Sequence, residues 1–256
     1  MIMQDCDSPF IVKLYKTYHD AKFLYMLMEP CLGGELWTLL RRSKRFCDDT
    51  AKFYVACVIL AFEYLHDRGI IYRDLKPENL LVDSSGYIKL TDFGFSRKLN
   101  NGEQAWTFCG TPEYVAPEII TNKSHDMRAD IWSLGILVFE LLTGAPPFTK
   151  QTTSGQVYPE ILKGMKGVHF PSTISASASE IIRLCCRLSS NQRPSLAHLK
   201  YFMWFSEMDW HGLANRSLNP PQVPTIENNS DYSNFDTYPV DLEMPQDDYS
   251  EWANDF

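Results

Sequence analysis

One loop and the segment after it carry residue types that could transfer a phosphoryl group. The loop reads Tyr-Arg-Asp-Leu-Lys-Pro-Glu-Asn over residues 72–79, and Asp92 opens an Asp-Phe-Gly triplet further on. A carboxylate such as Asp74 can take the proton of a hydroxyl, and Lys76 can touch a phosphate. Asn79 and Asp92 offer oxygen ligands that suit Mg²⁺. Alternatively the aspartates are turn or capping residues, which leaves Lys76 and Asn79 unexplained.

Composition and charge exclude several classes of protein. The chain has 256 residues, 45 % of them apolar, which is enough for one or two compact lobes. Residues 215–256 hold nine of the 32 acidic side chains and one of the 24 basic ones, so the formal charge of −8 lies in this tail. The balanced remainder lacks the basic face that nucleic acid requires, and we expect no nucleic-acid partner.

Cysteine usage and hydropathy favour a cytoplasmic protein without a membrane span. The seven cysteines show no metal-binding spacing, so we expect reduced thiols. The longest apolar stretch, residues 131–142, is too short to cross a bilayer and contains Glu140. Neither a signal peptide nor a myristoylation glycine follows Met1.

Hydrophobic periodicity predicts short strands first and helices later. Two hairpins are predicted, from strands over 10–18 and 23–29 and from strands over 80–83 and 87–91. Helices are predicted over 35–45, from 48 or 49 to 69, and over 129–142, 157–163, 176–188 and 195–204. Asp48 or Asp49 should cap the second helix and Gly69 should end it. The segment 129–142 is apolar nearly all round, which predicts a buried central helix. Beyond residue 215 no periodicity survives, so the tail should lie along another surface or stay mobile.

Three motifs together resemble the protein kinase signature. The loop over 72–79, Asp-Phe-Gly at 92–94 and Ala-Pro-Glu at 116–118 occur in the order and at the spacing of that family. Any one of them is a weak signal, but an accidental match of all three is very improbable. The resemblance implies ATP- and Mg²⁺-dependent phosphorylation of Ser or Thr.

Finer similarity indicates one branch of the family. Tyr72 in place of the usual histidine and the run Trp-Thr-Phe-Cys-Gly-Thr-Pro-Glu-Tyr over 106–114 resemble the AGC-type branch, which contains the cyclic-nucleotide-dependent kinases. Within it, residues 31–38 and 69–74 look most like the cGMP-dependent protein kinases. The resemblance extends over the whole chain and is looser at 189–201.

The resemblance implies an α+β, protein-kinase-like fold with two lobes. Residues 1–205 would be a kinase domain truncated at its start, with 1–30 as an incomplete small β lobe and 31–205 as a complete helical large lobe. Residues 206–256 would be the extended C-terminal tail of an AGC-type kinase.

By the same resemblance, the loop residues take separate catalytic roles. Asp74 would accept the proton of the substrate hydroxyl, and Lys76 would neutralise charge on the transferring group. The Thr111 hydroxyl would bond both of them. Asn79 and Asp92 would hold the Mg²⁺ ions.

The resemblance also assigns residues to ATP. The Glu29 carbonyl and the Cys31 N–H would bond adenine, Met28 would border it and Leu81 would form its floor. The residues expected around the nucleotide and its metal are Met28, Glu29, Cys31, Glu35, Glu78, Asn79, Leu81, Thr91, Asp92 and Phe235. In the tail, Phe235 would complete the pocket and Phe256 would anchor the small lobe. The alternative is that these are aromatic residues of a disordered tail.

Three glutamates match positions that bind arginines upstream of the phosphorylated residue. Carboxylates at Glu35, Glu78 and Glu140 would favour basic peptides by charge and by bidentate geometry. Taken singly, each is more often a solvated surface charge. The pocket for the residue after the target would be walled by Phe108, Pro112 and Val115.

Thr107 resembles the phosphorylation site of the activation loop. A phosphate there adds a charge of about −2, which Arg73 and Arg97 could clamp. The alternative is a solvated loop threonine, but Arg73 has no other obvious partner in the sequence. Two structural roles are implied as well, a pair between Glu118 and Arg193 and a brace from Asp130 to the catalytic loop.

The 256 residues do not contain three further elements of the family, namely the helix Glu, the strand Lys and the Gly-rich loop, which lie upstream of Met1 in its members. These elements hold the phosphates, so the chain by itself should be weak or inactive. It also contains no cyclic-nucleotide-binding domain, so the family's regulatory cGMP-binding domains would be partners. Two classes stay open: part of an active kinase, or a pseudokinase or decoy that binds substrates or regulators without turnover.

The incomplete sheet predicts exposed apolar surface on the first hairpin. The residues expected there are Phe10, Val12, Leu14, Phe23, Tyr25 and Leu27.

Overall fold

The computed structural model describes residues 2–20, 22–100, 102–148 and 154–237, without the side chains of 154–156. Within these ranges, helix and strand are mixed. The strands are β1 (Leu14–His19), β2 (Leu24–Met28), β3 (Ile70–Ile71), β4 (Leu80–Val82), β5 (Ile88–Leu90) and β6 (Arg97–Lys98). The helices are α1 (Leu36–Ser43), α2 (Asp48–His66), α3 (Pro117–Ile120), α4 (Arg128–Thr143), α5 (Ser154–Lys163), α6 (Ala176–Cys185), α7 (Leu196–Leu199) and α8 (Trp210–Ala214).

The described strands form three antiparallel two-stranded sheets, which pair β1 with β2, β3 with β6 and β4 with β5. Both predicted hairpins are present, with shorter strands than expected. In the second one, Leu80 faces Leu90 and Val82 faces Ile88. This hairpin lies between the loop over 72–79 and the Asp-Phe-Gly triplet at 92–94.

Helix α4 is the centre of the large core, as its sequence predicts. Every residue from Ala129 to Leu142 is buried, because the helix has no polar face to turn toward water. It packs against α2 and α6. A Cβ added at Gly135 would lie 2.6 Å from Cys186 Sγ, so α4 and the C-terminal end of α6 approach closely at this glycine.

The boundaries of α2 differ from the prediction. Cys47 occupies the N-cap position, and neither Asp48 nor Asp49 caps the helix. The Asp48 carboxylate instead accepts hydrogen bonds from Trp204 Nε1 at 2.8 Å and from Ser175 Oγ at 3.2 Å. Tertiary partners therefore use the carboxylate that local geometry alone would assign to the cap. The helix ends at His66, three residues before Gly69.

The helix predicted over 195–204 is interrupted. Helix α7 ends at Leu199, Phe202 adopts an extended backbone, and a 3₁₀ turn follows over Met203–Phe205. This break turns Trp204 and Phe205 into the core, where both are buried.

The first hairpin is exposed only in part. Phe23, Tyr25 and Leu27 are exposed as predicted. Phe10, Val12 and Leu14 are buried, so for these three residues the prediction is wrong. The reason is that the segment before β1 pairs with β5.

Two backbone hydrogen bonds make this pairing. Val12 N–H donates to the Leu90 carbonyl at 2.9 Å, and Leu90 N–H donates to the Phe10 carbonyl at 2.8 Å. Beside them, Met3 and Leu14 belong to a buried cluster against which Phe93 packs, and the Phe93 ring lies 5.4 Å from that of Tyr72.

The described part of the tail, up to residue 237, lies along the large lobe. Arg216 contacts Asp83 and stacks over the Tyr87 ring, and the Tyr87 hydroxyl donates to the Leu218 carbonyl at 2.8 Å. Further on, Asn234 Nδ2 donates to the Leu32 carbonyl at 3.0 Å. Phe256 lies outside the described residues.

No helix in the ranges that the structure describes is long and apolar enough to cross a membrane. All seven cysteines are free, as predicted.

Candidate active site

Asp74 is the centre of a closed set of polar side chains. It is 2 % exposed. Its Oδ1 accepts from Thr111 Oγ1 at 2.7 Å, and its Oδ2 accepts from Asn79 Nδ2 at 2.9 Å. Lys76 Nζ lies 3.0 Å from Oδ2 and also donates to Thr111 Oγ1 at 3.0 Å. Four of the residues chosen from the sequence therefore meet, and we call Asp74, Lys76, Asn79 and Thr111 the catalytic set.

The backbone of the loop is held by Asp130 of helix α4. This fully buried carboxylate accepts from the Tyr72 N–H at 3.0 Å and from the Arg73 N–H at 2.8 Å. His66 Nε2 lies 2.9 Å from the same carboxylate. The φ of Arg73 is +72°, a conformation that costs energy in a non-glycine residue and persists only when its surroundings enforce it. The predicted brace is present.

Asn79 and Asp92 are brought together by the hairpin between them. Thr91 N–H donates to the Asn79 carbonyl at 3.0 Å, and the Tyr72 hydroxyl donates to the Thr91 carbonyl at 2.5 Å. Asp92 has a φ of +53°, and its Oδ1 accepts from the Gly94 N–H at 3.1 Å. The hairpin thus sets both side chains at one end of the sheet.

The donors present fit Mg²⁺. Asn79 Nδ2 donates to the carboxylate and to the backbone carbonyl of Asp74, at 2.9 Å each. Asn79 Oδ1 is therefore the atom that could bind a metal. Asp92 adds carboxylate oxygens, and a hard cation prefers such ligands. The described ranges contain no cluster of three or more His, Cys, Asp or Glu that could hold a metal. One or two protein ligands, with phosphate and water as the rest, are the usual pattern for Mg²⁺.

A cavity of about 600 Å³ lies beside Asp92. Its lining includes Met28, Thr91 and Asp92 of the predicted nucleotide residues. Cys31 and Leu81 lie outside this lining, in the adjoining apolar cluster against which Met28 packs. The cavity is therefore apolar on one side and carries the candidate metal ligand on the other.

The segment that would bond adenine is fixed by a charged pair. Both carboxylate oxygens of Glu29 accept from Lys89 Nζ at 2.9 Å, and one also accepts from the Lys13 N–H at 2.7 Å. Phe235 does not line the cavity and is 37 % exposed. Its neighbour Asn234 nevertheless bonds the Leu32 carbonyl, which places the tail beside this segment.

The three predicted substrate glutamates lie close enough to act on one another. Burial, and then the charges of Glu78 and Asp236, raise the pKa of Glu35. Burial, and then the charge of Glu78, raise the pKa of Glu140 to about 8. The charge of Glu78 thus acts on both of the others, and Glu140 is the buried member of the three.

Three residues are predicted to wall the pocket for the substrate residue that follows the phosphorylated one. The Phe108 ring lies 5.8 Å from that of Tyr158 in α5, edge to face. Pro112 begins a short 3₁₀ turn, and Val115 just after it is buried. Gly110 has a φ of +109°, and an added Cβ there would lie 2.8 Å from the Arg73 carbonyl. This glycine therefore lets the segment approach the catalytic loop.

The two arginines predicted around Thr107 have partners that the sequence did not suggest. Arg97 Nη2 donates to Glu103 Oε1 at 2.6 Å. Arg73 Nε donates to the Phe95 carbonyl at 2.6 Å, so the expectation that Arg73 has no other partner is wrong. Arg73 Nη1, however, is buried with no hydrogen-bond partner in the described structure. Thr107 is exposed.

Sequence reasoning missed His125. Its backbone pairs with Ala105, two residues before Thr107, through bonds of 2.8 and 2.9 Å. Both ring nitrogens are buried and have no partner among the residues described. Burial is the main cause that lowers the pKa of His125; an interaction with the Lys123 backbone opposes this shift, and the charge of Arg73 adds to it. A lone histidine outside any motif gave no signal of this placement.

The predicted ion pair between Glu118 and Arg193 is present. Arg193 Nη1 and Nη2 donate to the two carboxylate oxygens of Glu118 at 2.6 and 2.7 Å, and both residues are buried. Arg193 Nη1 also donates to the Arg128 carbonyl at 2.7 Å. This bidentate pair ties α3 to the start of α4.

Known proteins resemble this chain along its full length. A family model described as protein kinase domain matches residues 1–205. The whole chain is 52 % identical to cGMP-dependent protein kinase, isozyme 2 forms cD5/T2, of Drosophila melanogaster, and covers 28 % of it. It is 50 % identical to cGMP-dependent protein kinase 2 of Homo sapiens and 48 % identical to cGMP-dependent protein kinase egl-4 of Caenorhabditis elegans, and covers 34 % and 33 % of them. The chain therefore spans a minor part of the length of these curated relatives.

Proposed function

This chain belongs to the protein kinase family, and we propose that it supplies the catalytic lobe of a serine/threonine kinase of the cGMP-dependent type. The observation that carries the proposal is the closed catalytic set around Asp74. A turn-forming aspartate needs none of these partners. A carboxylate that must orient a hydroxyl needs all of them, because general-base positioning depends on fixed geometry.

In this proposal each member of the catalytic set has one task. Asp74 orients the substrate hydroxyl and takes its proton as the hydroxyl oxygen attacks phosphorus. Lys76 neutralises charge that spreads over the equatorial oxygens of the transferred group. Thr111 bonds both residues and joins the activation segment to the loop.

ATP and Mg²⁺ are the implied cofactors. Asn79 and Asp92 would hold the metal, which would neutralise phosphate charge when bound. Met28 would border the adenine and Leu81 would form its floor, the Glu29 carbonyl and the Cys31 N–H would bond it, and Thr91 lines the cavity beside Asp92. Phe235 would close the pocket from the tail.

The proposed substrates are peptides with basic residues before the target. Glu35, Glu78 and Glu140 would form one acidic groove for these residues, and the charge of Glu78, which contributes to the raised pKa of each of the other two, supports this. The wall containing Phe108, Pro112 and Val115 would take an apolar residue after the target. Regulatory cGMP-binding domains are the proposed partners, by similarity to the relatives named above. The seven free cysteines favour a cytoplasmic location for the protein, where thiols are kept reduced.

Phosphorylation of Thr107 is the proposed switch. Arg73 Nη1 is buried without a partner and His125 lies next to the segment, so both could receive a phosphate. Arg97 would have to exchange Glu103 for the phosphate. Such an exchange orders a loop because a dianion bonds several donors at once.

The test is phosphoryl transfer to an arginine-rich peptide and to its arginine-free counterpart. These 256 residues contain no Gly-rich loop or strand Lys, so two proteins are compared: the chain alone, and a completed kinase in which a related kinase's Gly-rich loop, strand Lys and helix Glu are joined ahead of Met1. We expect little transfer by the chain alone and Mg²⁺-dependent transfer by the completed kinase, with preference for the arginine-rich peptide. A completed kinase that binds both ligands without transfer would favour the pseudokinase or decoy alternative.

A further inference from the structure

Glu140 is a carboxyl group inside the most deeply buried helix of the molecule. Its side chain belongs to α4 and is 3 % exposed. Its Oε2 is buried and has no hydrogen-bond partner in the part of the chain that the structure describes. An ionised carboxylate in such a place loses its hydration without compensation, so the neutral acid is favoured.

The charges that face Glu140 come from three other elements. Glu78 in the 3₁₀ turn Pro77–Asn79 and Glu113 in the turn Pro112–Tyr114 are negative and oppose its ionisation. Arg41 of α1 is positive and favours it, but its guanidinium stacks 5.0 Å from the Trp37 ring and makes no ion pair with Glu140. Burial remains the largest cause that raises the pKa of Glu140 to about 8.

We infer that the Glu140 carboxyl carries a proton in the free protein and releases it to solvent when a guanidinium of a basic peptide docks beside this carboxyl group. This inference rests on the proposed binding of basic peptides in the acidic groove. The O–H bond of the acid breaks, the proton goes to the buffer, and guanidinium N–H groups donate to the carboxylate that remains. Substrate binding is thereby coupled to pH.

The sign of the coupling follows from the proton count. The free protein holds one proton more than the complex, so a low pH opposes binding. Affinity should rise about tenfold per pH unit between pH 6 and 8 and level off above that range. The guanidinium stays charged throughout, so the pH dependence belongs to the protein.

The experiment is calorimetry of the 256-residue chain with a peptide that has two arginines upstream of an alanine at the target position. Titrations at pH 7 in buffers of different ionisation enthalpy give the number of protons released. We expect close to one proton per peptide at pH 7 and almost none at pH 9. The same peptide with citrulline in place of arginine should release none.

Two variants separate Glu140 from the rest of the groove. Glu140→Gln keeps the shape of the side chain and should abolish both the proton release and the rise of affinity with pH. Glu78→Gln should weaken binding and reduce the release at pH 7 only in part, because burial still raises the pKa of Glu140 although the charge of Glu78 no longer does. A thermal melt shows that each variant is folded.

A second measurement needs no peptide. In a chain with ¹³C-labelled glutamate carboxyls, the Glu140 signal is assigned as the one missing in Glu140→Gln, and it should titrate near pH 8. Titration below pH 5, or peptide binding without proton release, overturns the inference and leaves the substrate proposal intact. Absence of binding at every pH overturns the substrate proposal and this coupling together.

Discussion

The catalytic set and the groups that surround it differ in how their polar atoms are satisfied. Both oxygens of Asp74 have donors, supplied by Thr111, Asn79 and Lys76. By contrast, buried polar atoms without a partner in the described structure include Arg73 Nη1, both ring nitrogens of His125 and Glu140 Oε2. We call Arg73, His125 and Glu140 the receptive set.

In the proposed function, this difference separates groups that are positioned before a substrate arrives from groups that gain a partner only when a ligand binds. Each unsatisfied buried group costs about 1–3 kcal/mol, so the fold carries a penalty at the receptive set. A phosphate beside Arg73 and His125, or a guanidinium beside Glu140, would remove part of that penalty. The catalytic set carries no such penalty at Asp74, because both of its carboxylate oxygens have donors without a substrate.

The largest expected effect concerns the buried pair that supports the activation segment. Glu118→Ala leaves Arg193 charged, buried and without its bidentate partner, which should lower the free energy of unfolding by about 3–5 kcal/mol. Urea denaturation followed by fluorescence measures the loss. The exposed pair of Glu160 and Lys163 is the matched control, and Lys163→Ala should change stability by less than about 1 kcal/mol.

Equal losses of unfolding free energy in Glu118→Ala and Lys163→Ala would contradict the distinction between buried and exposed ion pairs. A loss below about 1 kcal/mol for Glu118→Ala would mean that water reaches Arg193 and that its burial is not maintained in solution.

A smaller effect is expected at His125. Since burial lowers its pKa, the unfolded chain binds a proton more readily than the folded one. Because of His125, the free energy of unfolding therefore decreases as the pH falls below about 6.5, the ordinary pKa of histidine. His125→Leu removes the unpaired nitrogens and should reduce the loss between pH 7 and 5 by up to about 1 kcal/mol.

The comparison is made by urea denaturation of both proteins at pH 7 and pH 5. A steeper loss of stability at low pH in His125→Leu would show that the native ring is protonated and paired, and would remove His125 from the receptive set.

The catalytic set could be predicted from sequence because its residues lie in motifs of fixed spacing. Asp74, Lys76 and Asn79 share one loop, so the short chain between them already limits their separation. Thr111 is 37 residues from Asp74, and only the resemblance to a family placed it there. The buried helix α4 was also predictable, since its apolar character is continuous.

Tertiary pairing accounts for what the sequence did not reveal. Phe10, Val12 and Leu14 were expected to be exposed, but Phe10 and Val12 pair with Leu90, and Leu14 packs in the cluster that contains Met3. Asp48 has the right position for a cap, but Trp204 and Ser175 occupy its carboxylate. Such partners are far away in the chain, so no local pattern contains them.

The receptive set was hidden for a related reason. Glu140 looks like one polar residue within an apolar helix, and His125 like an isolated surface histidine. That either group is buried without a partner is a property of the whole fold. Arg73 was recognised from its motif, but its bond to the Phe95 carbonyl was not.

The central claim is that Asp74 orients the hydroxyl while Asp92 holds the metal, and one comparison in the completed kinase tests it directly. Asp74→Asn and Asp92→Asn are measured for turnover and for affinity toward ATP in the presence of Mg²⁺. We expect Asp74→Asn to lower turnover by a factor of about 10² or more with nucleotide affinity nearly unchanged, because general-base positioning acts in the transition state. Asp92→Asn should weaken Mg²⁺-dependent nucleotide binding as well as turnover. Loss of nucleotide affinity in Asp74→Asn, together with normal affinity in Asp92→Asn, would contradict the assignment.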